Sequence, residues 1–165
     1  MSRASFRLAP LDTAHDRATF RSDSEPLNRY LREQVTQDIR RRVAACFVAL
    51  VDGQRIAGYY TLASASLLLA DLPASTGKKL PRCPSVPAVR MGRLAVDQAF
   101  KGQGLGAALL ADALDRAARS EIAAFTLMVD AKDEAAAAFY RHHGFIVLPN
   151  SPLTLFLPLA TVQRS

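Results

Sequence analysis

Of the 165 residues only two are cysteines, Cys46 and Cys83, and three are histidines. The cysteines stand far apart and neither belongs to a C-x-x-C pair. They read as ordinary reduced thiols, which excludes a disulfide framework. His15, His142 and His143 do not make up a zinc ligand set with them, so no metal is expected. No stretch of about 18 apolar residues occurs, so no transmembrane helix is expected and no membrane partner. The opening residues Met1-Ser2-Arg3-Ala4-Ser5-Phe6-Arg7 lack the apolar run of a signal peptide, and the expectation is a cytoplasmic protein. There is no internal repeat and no sign of a second domain. Nor does any Ser or Cys stand with His and Asp in a way that reads as a nucleophile triad. His142-His143 reads instead as the solvated end of a helix, where positive charge is favoured.

Half of the residues are apolar, enough for one core, and the expectation is a single domain over residues 1–165. The net charge is +6 and the pI about 9.8. Its placement says more than its size. From Lys78 to Arg93 there are five basic residues (Lys78, Lys79, Arg82, Arg90 and Arg93) and no acidic one. Arg40-Arg41-Arg42 forms a second block. Clusters of this kind suit phosphates or an acidic partner.

Phe6 to Leu8 reads as a first strand. Ser24-Glu25-Pro26 reads as a helix start with Ser24 as cap, followed by Leu27, Tyr30, Leu31, Val35 and Ile39 at helical spacing. Cys46–Val51 and Ile56–Ala63 form a hairpin about Asp52-Gly53, and Ser66–Leu69 extends the sheet. The prolines at 73, 81, 84 and 87 predict a long loop with a short helix at its middle and exclude a central strand there. Val89–Val96 reads as a strand broken at Gly92, a place for a bulge. Next come a helix over Leu105 to Ala117, a strand over Ala124–Val129, an alanine-rich helix over Asp133–His142, and an antiparallel pair, Phe145–Leu148 with Leu153–Leu157. The class is a mixed α/β sheet flanked by helices.

The most informative segment runs from Arg93 to Ala107. A strand feeds a glycine-rich turn, Lys101-Gly102-Gln103-Gly104-Leu105-Gly106-Ala107, and the turn opens a helix. Glycines allow successive backbone N–H groups to face one concavity, and the helix N-terminus adds partial positive charge. Together they make an anion site suited to a pyrophosphate. A Walker loop would need Lys-Ser/Thr after Gly106, where Ala107-Ala108 stands. The dinucleotide fingerprint needs Gly or Ala where Leu109 stands. Lys101-x-x-Gly104-x-Gly106 matches [Arg/Gln]-x-x-Gly-x-[Gly/Ala] apart from Lys101 in first position, a departure that keeps the charge. A glycine turn with no ligand is the plain alternative.

From Ala88 on, the sequence resembles the GNAT acetyltransferases. Within that superfamily it resembles the toxins of bacterial toxin–antitoxin pairs, which acetylate the amino acid on charged tRNA. The likeness is carried by Leu27-Asn28-Arg29-Tyr30-Leu31-Arg32, by Gly58-Tyr59-Tyr60-Thr61-Leu62 and by Gly92-Arg93-Leu94-Ala95-Val96-Asp97 with the glycine loop. A fourth stretch, Val129 to Tyr140, completes it. Ser22-Asp23-Ser24 stands where that branch often has Cys-Gly. The resemblance implies a GNAT fold: a central mixed, mostly antiparallel sheet splayed in the middle, here between the Val89–Val96 and Ala124–Val129 strands. It implies acetyl-CoA as co-substrate, with the pantetheine arm along Leu94, Ala95 and Val96. The pyrophosphate would lie on Lys101, Gly102, Gln103, Gly104, Leu105, Gly106 and Ala107. Further contacts would come from Asp133, Ala136 and Phe139. The Val96 N–H is the implied oxyanion donor and Tyr140 the catalytic acid.

The same resemblance implies an aminoacyl-tRNA substrate, a cognate antitoxin protein and a homodimer. Arg41, Lys79, Arg90 and Arg93 are the candidate tRNA contacts, with burial of Arg93 in an ion pair as its alternative. An acetyltransferase for a small amine or a protein lysine would share Gly104, Gly106 and Tyr140 but leave the basic clusters as plain surface. A non-catalytic binding module would have no use for Tyr140.

Overall fold

A computed structural model of the chain describes residues 5–162. It holds a seven-stranded sheet of order β1-β2-β3-β4-β5-β7-β6. The strands are β1 (Arg7–Pro10), β2 (Ala45–Val51), β3 (Arg55–Leu68), β4 (Ser85–Val96), β5 (Thr126–Asp130), β6 (Ile146–Leu148) and β7 (Ser151–Pro158). The helices are α1 (Glu25–Arg29), α2 (Val35–Arg40), α3 (Ala74–Gly77), α4 (Leu105–Arg119) and α5 (Glu134–His142). Most pairing is antiparallel, whereas β4 and β5 run parallel, with Ala88–Met91 opposite Thr126–Val129. β4 then continues five residues past that register, from Gly92 to Val96. The chain falls into two compact units, Met1–Ala63 with Gly92–Ala113, and Ser64–Met91 with Leu114–Ser165. β3, β4 and α4 each pass from one into the other.

In the first unit, β2 and β3 form the expected hairpin. The helical stretch before it departs from the sequence reading. One helix was expected, and the chain forms α1, a π-helical turn over Tyr30–Gln34, and α2. The Val35 N–H donates to the Tyr30 carbonyl, an i+5 bond. The widened turn lets Tyr30, Leu31 and Val35 all enter the core, which an unbroken α-helix would do less well for residues five apart. They pack with Phe20, Cys46, Val48, Leu50, Ile56, Tyr59 and Ala95. The α1 start is as read: Pro26 lies in the first turn and the Ser24 hydroxyl accepts from the Leu27 N–H.

On the other face of β3, Gly58 is a point of close approach. A Cβ there would lie 2.8 Å from Leu109 Cδ1, 3.0 Å from the Ala95 carbonyl and 3.3 Å from Leu105 Cδ2. α4 therefore seats its first turns directly on the strand. Nearby, the Tyr60 hydroxyl donates to Asp112 on the same helix.

In the second unit, Leu67, Leu72, Val86, Ala88, Met128, Leu148 and Phe156 make the core. Here β4 corrects two expectations. It begins at Ser85 and so includes Pro87, which the proline argument had kept out of a central strand. Pro87 is tolerated because it precedes the β5 register, and it contributes only a carbonyl, which accepts from the Phe125 N–H. β4 also continues through Gly92, where a break in the strand was expected. The 69–84 loop carries the short helix α3, as read.

Candidate active site

The strand β4 ends at Val96, and Asp97 begins a short 3-10 turn over Gln98–Phe100. Lys101, Gly102, Gln103 and Gly104 follow, and α4 opens at Leu105. Gly102 and Gly104 adopt φ of +79° and +77°, the left-handed region that suits glycine. A Cβ at either would meet nothing within 4 Å. The space over the loop is therefore open, as a cradle for a bound group requires. In α4 the Ala108 N–H donates to the Gly104 carbonyl. The amides of Leu105, Gly106 and Ala107 ahead of it have no acceptor inside the helix. An open loop with positive φ, leading into a 15-residue helix whose first amides have no acceptor within the helix, fits a pyrophosphate.

Of the residues read as cofactor contacts on β4, Leu94 and Val96 are half-buried, while the Ala95 side chain is committed to the core. Lys101 is not a free cation: its ammonium donates to Asp23 at 2.9 Å, both side chains being about half exposed. Sequence reasoning missed the residues that hold this loop in place. Asp97 is 4% exposed, and its two oxygens accept from Arg21 N–H at 2.9 Å and Ala99 N–H at 2.8 Å. The Arg55 guanidinium stands 4.0 Å from the same carboxylate. Gln98 N–H donates to the Arg21 carbonyl, so segment 21–24 and the loop are tied at several points. The buried Asn28 accepts from both the backbone and the hydroxyl of Ser22, joining that segment to α1. The available signal was an aspartate at the end of a strand, two residues before a turn amide, a capping arrangement.

Tyr140 lies on α5, 6% exposed, with its ring against Phe139 and Phe145 at centroid distances of 5.3 and 5.6 Å. Among the described residues its hydroxyl has no hydrogen-bond partner. Burial, reinforced by the Asp130 carboxylate, pushes its pKa up to about 12. It is therefore a protonated phenol at any physiological pH. Asp133 and Ala136, read as cofactor contacts, are engaged in starting α5: the Asp133 carboxylate caps the helix by accepting from Ala136 N–H at 2.8 Å. Phe139 packs on Tyr140 and on His143.

The four basic candidates fall in different settings. Arg41 at the end of α2 and Lys79 after α3 are exposed. Arg90 is exposed but pairs with Asp130 at 3.4 Å. Arg93 is half-buried, and its guanidinium lies over the Tyr30 ring at 3.6 Å, a cation–π stack in place of the ion pair considered for it. The Tyr30 hydroxyl donates to Asp38 at 2.7 Å, and that bond is the main reason the Asp38 carboxyl is held below its ordinary range. Among the described residues no group of Cys, His, Asp and Glu is placed to hold a metal. No helix among them is long and apolar enough to cross a membrane.

A tRNA-acetylating toxin of Mycobacterium tuberculosis is 37% identical over 149 residues, 89% of this chain and 88% of its own length. The solved structure of AtaT complexed with acetyl-methionyl-tRNAfMet superposes with a TM-score of 0.90 at 30% identity, covering 96% of this chain and 97% of that one. A tyrosine-to-phenylalanine mutant of AtaT, solved with the C-terminus of the antitoxin AtaR and acetyl-CoA, gives 0.80 at 26% identity, with 96% of each chain covered. Residues 12–145 match the acetyltransferase (GNAT) family, and the chain belongs to it.

Proposed function

We propose that this protein transfers the acetyl group of acetyl-CoA to the α-amine of an aminoacyl-tRNA, and so blocks translation as the toxin of a toxin–antitoxin pair. The observation that carries the reading is the near full-length similarity to the mycobacterial tRNA-acetylating toxin, at 37% identity. Acetyl-CoA supplies an activated thioester. The chain's own groups bind it and steer the proton. The backbone amides of the glycine loop and the start of α4 hold the pyrophosphate, while the Leu94–Val96 strand edge pairs with the pantetheine amides as a peptide strand would. The Val96 N–H faces the carbonyl oxygen as it gains charge, a contribution of roughly 3 kcal/mol for one such donor.

Tyr140 donates its proton to the departing sulfur. The phenol reaches the reaction protonated, as a proton donor must. No strong base is required. The acceptor is an α-amine, whose reference pKa of about 8 leaves much of it neutral near pH 7. Arg41 and Lys79, both exposed, supply phosphate contacts, and Arg90 and Arg93 contribute from β4. The reaction draws on acetyl-CoA and charged tRNA, so the protein acts in the cytoplasm. A cognate antitoxin and a homodimeric state belong to the same reading.

The test is expression without a partner. Growth should stop, and Tyr140→Phe should restore it. Normal growth with the active protein, together with acetylation of a free polyamine or a lysine peptide, would transfer the assignment to an ordinary amine acetyltransferase.

A further inference from the structure

The glycine loop is not a free-standing turn. Its root is fastened to a segment more than seventy residues earlier in the chain: the Arg21 N–H donates to Asp97 at 2.9 Å with a sequence separation of 76. The attachment is reciprocal, because the Gln98 N–H donates to the Arg21 carbonyl at 2.9 Å. Asp97 also receives the Ala99 N–H at 2.8 Å, and its own N–H donates to the Ala57 carbonyl of β3 at 2.8 Å. One buried residue thus joins three pieces of backbone: its carboxylate holds the 21–24 segment and the first turn of the loop, and its backbone N–H holds β3. Farther along the loop, Lys101 is bound to Asp23 on the same segment. A Cβ added at Gly102 or Gly104, by contrast, would meet nothing within 4 Å. The Asp97 end of the loop is buried.

We propose that Asp97 is a positioning residue for the phosphates of acetyl-CoA: its carboxylate clamps the 21–24 segment to the glycine loop and fixes the direction of the loop amides. The inference rests on the assignment of the loop as the pyrophosphate site. A preorganised set of amides binds an anion without the cost of ordering the loop first. Releasing the clamp should therefore weaken the part of the donor that carries phosphate and leave the acetyl end alone.

Two variants separate the clamp from simple stability. Asp97→Asn keeps an oxygen for the Ala99 amide but turns an NH2 toward the Arg21 N–H, so donor faces donor. Asp97→Ser is also a good cap residue, and it keeps one oxygen near Ala99 while removing the reach to Arg21. The measurement is the KM and kcat of each variant with two donors, acetyl-CoA and S-acetyl-pantetheine, which lacks the pyrophosphate and nucleotide. The expected result is a rise of about tenfold in KM for acetyl-CoA, with kcat and the S-acetyl-pantetheine KM within about threefold of wild type. Unchanged acetyl-CoA kinetics in both variants, or an equal loss with both donors, would overturn the proposal. If the wild-type protein itself fails to prefer acetyl-CoA over S-acetyl-pantetheine, the loop assignment falls instead.

Discussion

The glycine loop and Tyr140 are held by opposite kinds of force. The loop is tied by hydrogen bonds, Asp97 accepting from the Arg21 and Ala99 N–H groups and Gln98 N–H donating to the Arg21 carbonyl, while a Cβ at Gly102 or Gly104 would meet nothing within 4 Å. Tyr140 is held by ring contacts with Phe139 and Phe145, and its hydroxyl has no partner among the described residues. On the proposed function, binding geometry lies in the backbone of the first region and chemistry in one atom of the second. A polar scaffold is sensitive to any residue that changes its donors or acceptors. An aromatic scaffold tolerates loss of a single oxygen that it never used.

The largest effect should come from that oxygen. Tyr140→Phe keeps every ring contact and deletes the proton donor, so turnover should drop about 10²- to 10⁴-fold. Acetyl-CoA affinity by calorimetry and the melting temperature should stay close to wild type. A marked loss of stability would mean that the hydroxyl has a structural partner, and the contrast between the two regions would fail.

Next in size is the loop. Gly104→Val places a branched side chain in the open space over the loop and at a φ of +77°, where L residues are strained. Strain of this kind costs about 1–3 kcal/mol. Acetyl-CoA binding should weaken at least about tenfold, while the fold persists because the added atoms meet no core. Unaltered affinity in a folded variant would remove the loop from the cofactor site.

The smallest effect concerns pH and would show the aromatic scaffold directly. Burial pushes the Tyr140 phenol and the Cys46 thiol each up to about 12, and raises the Tyr59 and Tyr30 phenols as well. In each case the folded state holds its proton to a higher pH than the unfolded state does. The associated stability is fully present below the ordinary values, 9.0 for the thiol and 10.0 for the phenols, and is lost as pH rises toward about 12. Melting temperature should be flat with respect to these groups up to about pH 8 and fall between pH 9 and 11, as the unfolded chain sheds protons first. Over the same range activity should show no falling limb from Tyr140, because its proton is retained.

The comparison also explains what the sequence could disclose. Local signals were legible. The turn at Asp52-Gly53, the Ser24 cap, the strand–glycine–helix order of the loop and the alanine-rich α5 are all written in neighbouring residues. Long-range ties were not. Nothing around Arg21 announces that its N–H meets Asp97, since a backbone donor has no sequence signature. The π-turn at Tyr30–Gln34 was hidden for a similar reason: its residues keep helical spacing, and the core decides which of them must enter together. Pro87 inside β4 shows the limit of a propensity rule, because the rule concerns donors and this position is called on only as an acceptor. Arg93 was legible as a basic residue on a strand, but its stack on Tyr30 depends on the helix that brings the ring there.

The central claim is that the acceptor is the amino group of a charged tRNA and that Tyr140 delivers the proton. Its most direct test is to incubate the protein with acetyl-labelled acetyl-CoA and total charged tRNA, and to follow label into the aminoacyl group. Wild-type protein should transfer label to aminoacyl-tRNA and not to uncharged tRNA. Tyr140→Phe should transfer about 10²- to 10⁴-fold more slowly. Raising salt should slow transfer steeply, as expected for a polyanionic acceptor whose counterions are released on binding. Label that never reaches charged tRNA, while a free amine is acetylated at a good rate, would contradict the account.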